Sequence, residues 1–169
     1  KIIVIGDHGH DEVVAIANQV DNAIIISTPE EAKKMKKWRK AGVVSQSTQT
    51  IENVQEIMNI LMTKVFDLHF VNTICFPTKR NQEQIKMLAE TSDVMIIIGS
   101  FTSANSKRLT QLALEKNKNS YQVTCANDVK KEWFGSVKQV GISAGASTPD
   151  ELIEEVKDKI SMIKEEILN

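Results

Sequence analysis

The side chains with which this chain could do chemistry lie in four loops, each running from an aliphatic stretch into a helix-like pattern. They are IIVIGDHGHDEV, VVSQSTQT, IIIGSFTSANS and VGISAGASTPD, and a lone Cys75 in NTICFPT falls between the second and third. His10 and Glu12 share the first loop. An imidazole there can hydrogen-bond a phosphate, and a desolvated carboxyl can donate a proton near neutral pH. The plainer alternative is that Asp11 and Glu12 only complement the positive end of a helix. Ser47 with Thr48, and Ser147 with Thr148, are equally good helix caps. Ser103, Ala104 and Asn105 stand before a helical pattern, where free backbone N–H groups and neutral side-chain donors suit an anion. No GxxxxGK[ST] or GxGxxG pattern is present, so a nucleotide loop of those kinds is not supported.

The loops come in two matched pairs. Gly6 and Gly99 each follow an Ile/Val run, and Ser47-Thr48 and Ser147-Thr148 each follow a second one. That is an internal repeat. β-rich runs near 1–6, 23–27, 42–46, 93–99, 120–124 and 138–143 predict strands. Ile51, Val54, Ile57, Met58 and Leu61 form one helical stripe; Leu109, Leu112 and Ala113 begin another; Leu152, Val156, Ile160 and Ile163 form the last. Strand–helix alternation predicts an α/β fold with mostly parallel sheets. The repeat divides it into two similar three-layer units, 1–72 and 73–169, with at least three strands each. The segment FDLHFVN (66–72) is expected to be the connection between them.

Composition narrows the function. Lys plus Arg number 21 against 22 for Asp plus Glu, which offers no overall field for nucleic acid or an anionic membrane. One Tyr and two Trp leave little for base stacking, and no apolar run approaches a membrane span. Two unrelated cysteines suggest no disulfide framework and point to a reducing, cytoplasmic setting. The abrupt start inside a strand suggests a fragment of a longer protein.

Cys75, which precedes an expected turn at Pro77, is read by itself most simply as a small buried hydrophobe. As an iron ligand it needs two or three further thiolates, and Cys125 is the only other cysteine. The basic run 33–40 (KKMKKWRK) is expected to end a helix opened by Pro29-Glu30-Glu31, as a solvated face. Docking an acidic redox protein there is the alternative.

In this order, His10-Asp11-Glu12-Val13, Ser45-Gln46-Ser47-Thr48, Ile74-Cys75, Ser103-Ala104-Asn105-Ser106 and Ala144-Gly145-Ala146-Ser147 resemble the LytB-type 4-hydroxy-3-methylbut-2-enyl diphosphate reductase family. The resemblance implies a trefoil-like enzyme of three α/β domains, of which this chain is the second and third and lacks the first. It implies a [4Fe-4S] cluster held by three cysteines in the full-length parent, Cys75 being one, and none in this fragment. Glu12 is then the proton donor, with Ser47 standing for the family's usual Thr in the relay. His10, Ser103, Asn105 and Ser147 hold the diphosphate, Ala104 offers its backbone N–H, and Ser47 and Thr48 complete the substrate-binding set from the second loop. The implied partners are the small allylic diphosphate and an electron donor such as flavodoxin or ferredoxin, with no nucleic acid or membrane. The fragment alone is expected to be inactive. A redox-silent diphosphate-binding module is the competing expectation, and it needs neither Glu12 nor Cys75.

Overall fold

The computed structural model describes residues 1–168. Two compact units divide between Lys79 and Arg80, not after Asn72, so the Cys75 segment goes with the first unit.

In the first unit the chain runs through β1 (Ile2–Ile5), α1 (Asp11–Ala17), β2 (Ile24–Ile26), α2 (Pro29–Lys34), β3 (Trp38–Ser45), α3 (Ile51–Met62) and β4 (Val65–Phe70). The strands form one sheet in the order β2-β1-β3-β4, every neighbour parallel. Ile3 and Ile5 are fully buried with Ala32 of α2 and the Val54, Ile57 and Leu61 stripe of α3. The expected α3 stripe is therefore the core-facing one.

Three local expectations change. Val65–Phe70 is an edge strand and not a connection, its Val65 buried and its Phe66 93% exposed. An edge strand needs only part of one face apolar, so Asp67 and His69 interrupt the pattern without preventing pairing. The basic run ends a helix only with its first two residues. α2 carries Glu30 and Glu31 in its first turn and Lys33 and Lys34 in its last, then stops, and Trp38 already pairs with Val65 as β3 begins. The run meets β3 at Trp38, the opposite end from Ser45, about 23 Å away at ~3.3 Å per residue. Third, Pro77 lies in the first turn of α4 (Phe76–Thr91), where a missing N–H costs nothing, and not in a turn.

After α4, the second unit continues through β5 (Val94–Ile98), α5 (Ala104–Lys116), β6 (Ser120–Val123), two 3-10 turns, β7 (Val140–Ala144) and α6 (Asp150–Leu168). Its sheet is β6-β5-β7, again all parallel. β5 is buried along its whole length. Val94, Ile96 and Ile98 pack on the Val156 and Ile163 face of α6, while Met95 and Ile97 pack on Ile85, Leu109 and Leu112. A central strand covered on both faces reads as a continuous aliphatic run, as this one does.

Candidate functional site

In each unit the chain leaves the first strand to one side and returns for the third on the other: β1 lies between β2 and β3, and β5 between β6 and β7. Loops at the carboxyl ends of β1 and β3, or of β5 and β7, diverge there and open a crevice. The predicted loops are those four. Glycines let the β1, β5 and β7 loops turn tightly. A Cβ on Gly6 would come within 2.4 Å of the Val13 side chain, and Gly9 holds φ +75.

In the first unit His10 caps α1, its Nδ1 accepting the Glu12 N–H at 3.3 Å. A ring that accepts at Nδ1 carries its proton on Nε2, which is then a donor. Glu12 does more than complement its own helix. Its Oε1 accepts the Ser47 backbone N–H at 2.7 Å, and its Oε2 accepts the Ser47 hydroxyl at 2.9 Å. The Ser47 carbonyl in turn accepts the Cys75 N–H at 2.9 Å. One serine thus links the Glu12 carboxylate to the backbone of the cysteine. Neither Ser47 nor Thr48 caps α3; Thr50 does, accepting the Asn53 N–H. The Thr48 hydroxyl accepts from Gln46 Nε2 at 3.1 Å. Cys75 is exposed, against the buried small hydrophobe expected of a lone cysteine.

Gln46 is a residue that sequence reasoning passed over. It is fully buried, and its Oε1 accepts the Asp7 N–H at 3.0 Å, tying the β1 loop to the β3 loop. A polar residue directly after a buried strand was the available signal. On the far side of the β1 loop, His8 and the Ser27 N–H both bond Glu31. The Ser27 N–H first, and His8 with it, hold that carboxyl below its ordinary range.

In the second unit Ser103 caps α5, accepting the Ser106 N–H at 3.3 Å. Two positions inside the cap stands Asn105, 8% exposed, with neither Oδ1 nor Nδ2 hydrogen-bonded. A buried, unpartnered amide costs about 1–3 kcal/mol, so its presence at a helix N-terminus points to a polar ligand. Ser147 is exposed in the β7 loop, and Thr148 ties that loop to β5 through the Ile98 carbonyl at 3.1 Å.

Ser106, quoted in the motif but given no role, sets the shape of this crevice. It is 1% exposed, and its Oγ lies 2.3 Å from where a Cβ on Gly99 would stand and 2.4 Å from one on Gly145. Both loops therefore close on the α5 N-terminus only as glycines. Gly145→Ala is expected to destabilise the protein by about 1–3 kcal/mol. Ser106→Ala should restore most of that loss, because the hydroxyl is the clashing atom. Denaturant unfolding of both single variants and the double variant checks this coupling; a neutral Gly145→Ala would refute it.

Among the described residues no three His, Cys, Asp or Glu side chains gather closely enough to hold a metal ion. Cys125, in the second unit, caps a 3-10 turn through Asp128. Among the described residues no helix is long and apolar enough to cross a membrane.

Residues 1–161 match the profile of the family described as LytB protein. The 4-hydroxy-3-methylbut-2-enyl diphosphate reductase of Geotalea uraniireducens is 37% identical over 166 residues, covering 98% of this chain and 59% of the relative. That of Aquifex aeolicus is 39% identical over 168 residues, covering 97% and 58%. A solved (E)-4-hydroxy-3-methyl-but-2-enyl diphosphate reductase, described as the terminal enzyme of the non-mevalonate pathway, aligns at 38% identity with a TM-score of 0.54, covering 95% of this chain and 59% of that one. The corresponding structure from Plasmodium falciparum shares the fold at 23% identity and a TM-score of 0.85, covering 95% and 51%. The chain spans less than three-fifths of the length of these relatives.

Proposed function

Because this chain belongs to the LytB protein family, we propose that it forms the second and third α/β domains of a 4-hydroxy-3-methylbut-2-enyl diphosphate reductase. The observation that carries the reading is the link from Glu12 through Ser47 to Cys75, which joins a proton source to an exposed thiol. The reaction replaces an allylic hydroxyl by hydrogen. Two electrons and two protons enter, the C–O bond breaks, water leaves, and isopentenyl or dimethylallyl diphosphate results.

Glu12 supplies the proton that makes the hydroxyl leave as water. A hydroxyl both donates and accepts, so Ser47 can take a proton from a protonated Glu12 while passing its own outward. The Ser47 N–H holds the other carboxylate oxygen in place throughout. His10 presents Nε2–H as a neutral donor to an anion. In the second unit the α5 N-terminus, with Ser103, the Ala104 N–H and Asn105, and the exposed Ser147 of the β7 loop form a diphosphate cradle made of neutral donors. Thr48 supports the β3 loop through Gln46.

The chain has two cysteines, Cys75 and Cys125, so a three-thiolate cluster does not fit on this chain alone. The full-length parent carries the [4Fe-4S] cluster in this reading, with Cys75 as one ligand, and the fragment by itself is inactive. Its electrons come from a small cytoplasmic donor such as flavodoxin or ferredoxin. Anaerobic iron–sulfide reconstitution of the full-length protein, with and without Cys75→Ser, tests the assignment through bound iron and the visible charge-transfer band. Loss of both on substitution is expected. Unchanged iron in the variant would take Cys75 off the metal, and diphosphate binding without any cluster would favour a redox-silent binder.

A further inference from the structure

The two halves of the repeat are not equally complete. Ile2 of β1 stands opposite Gly42 and Ile5 opposite Ser45, just as Met95 of β5 stands opposite Gly141 and Ile98 opposite Ala144. β3 and β7 are therefore equivalent strands, with Ala41 matching Val140 and Val43 matching Ile142. In the first unit the outer edge of β3 is covered by β4, Ala41 opposite Leu68 and Val43 opposite Phe70. Both β3 residues are 1% exposed. In the second unit no described strand pairs with the outer edge of β7. Val140 and Ile142, bulkier than their counterparts, are only half-buried.

They line a groove of about 610 Å³ with Phe134, Val137 and the half-buried Ile160 and Ile167 of α6. α6 follows β7 as α3 follows β3, and α3 uses the same kind of stripe to pack β4, whose Val65 is buried in its cluster. An apolar shelf beside an open strand edge is a site for strand addition.

We propose that the β7 edge is the docking site of a further parallel β-strand. The strand is a short extended segment with Val, Leu or Ile on the face that Leu68 occupies in β4, where it stands opposite Ala41. It comes from the part of the polypeptide that the relatives possess beyond the 58–59% of their length matched here. Lys138 and Lys164 at the rim favour a carboxylate beside it. The inference rests on family membership and on the repeat, and is independent of the reductase chemistry.

Hydrogen exchange tests it without an activity assay. The amides of Val140–Ala144 are compared with those of Ala41–Ser45 in the 169-residue chain, and in a polypeptide carrying the same residues at the full length of its relatives. In the short chain the β7 amides should exchange about tenfold faster than the β3 amides or more; in the long one the difference should vanish. Ile142→Asp should lower the melting temperature of the long protein well beyond that of the short one, since only there is the residue enclosed. Equal β7 exchange in the two proteins, fast or slow, overturns the proposal. So does protection in the short chain that appears only with decanoate, which would assign the groove to an anionic amphiphile.

Discussion

Glu12→Gln in the full-length reductase is expected to lower turnover by about 10²–10⁴-fold, the usual contribution of a positioned proton donor. The fold should scarcely notice. Gln keeps the volume and one acceptor oxygen, which can remain on the Ser47 N–H now 2.7 Å from Oε1. The amide nitrogen then faces the Ser47 hydroxyl, which can rotate to accept. The loss is therefore chemical: the amide has no acidic proton to pass on. Turnover with a chemical reductant, measured beside the melting temperature, separates the two effects. A variant that melts normally and keeps its rate within a factor of about three would remove Glu12 from the proton path.

Asn105→Leu should move binding and stability in opposite directions. The amide of Asn105 is buried with both polar atoms unpaired, a standing cost of about 1–3 kcal/mol. Leucine, close in size, removes that cost, so the unliganded protein is expected to melt at the same temperature or higher. Binding should suffer, because hydrogen bonds to a charged group contribute about 1.5–3 kcal/mol, or roughly 10–150-fold in affinity. Calorimetric titration of the full-length protein with inorganic pyrophosphate, read against its melting temperature, distinguishes this from a structural role. A variant that melts lower and binds pyrophosphate unchanged would make Asn105 an ordinary core residue.

Both expectations depend on features that differ in how far sequence could reveal them. The Ile/Val runs of β1, β3, β5 and β7, the glycines that follow β1, β5 and β7, and the helical stripes of α3 and α6 were legible because each is a pattern within a few neighbouring residues. So were the α/β class, the repeat, and the motif order by which the chain resembles its family. Edge strand β4 was not, since an edge needs only a half-buried face and Asp67 and His69 mask it. Helix α4 was hidden behind Pro77, which reads as a turn until its N1–N2 placement is seen.

The amino-acid sequence by itself determined which residues stand at the crevice loops, His10, Glu12, Ser47, Ser103, Asn105 and Ser147, with Cys75 between the second and third. Only the tertiary structure decided what each one touches. Ser47 has the composition of a cap, yet it clamps a carboxylate from a loop 35 residues earlier. Asn105 looks like any polar residue in a first helical turn, yet its amide is buried without a partner. Ser106 looks incidental, yet two glycines are shaped around it. The physical reason is common to all three. Local propensity is settled by neighbours along the chain, whereas hydrogen-bond partners and burial are settled by which strand ends a parallel sheet brings side by side.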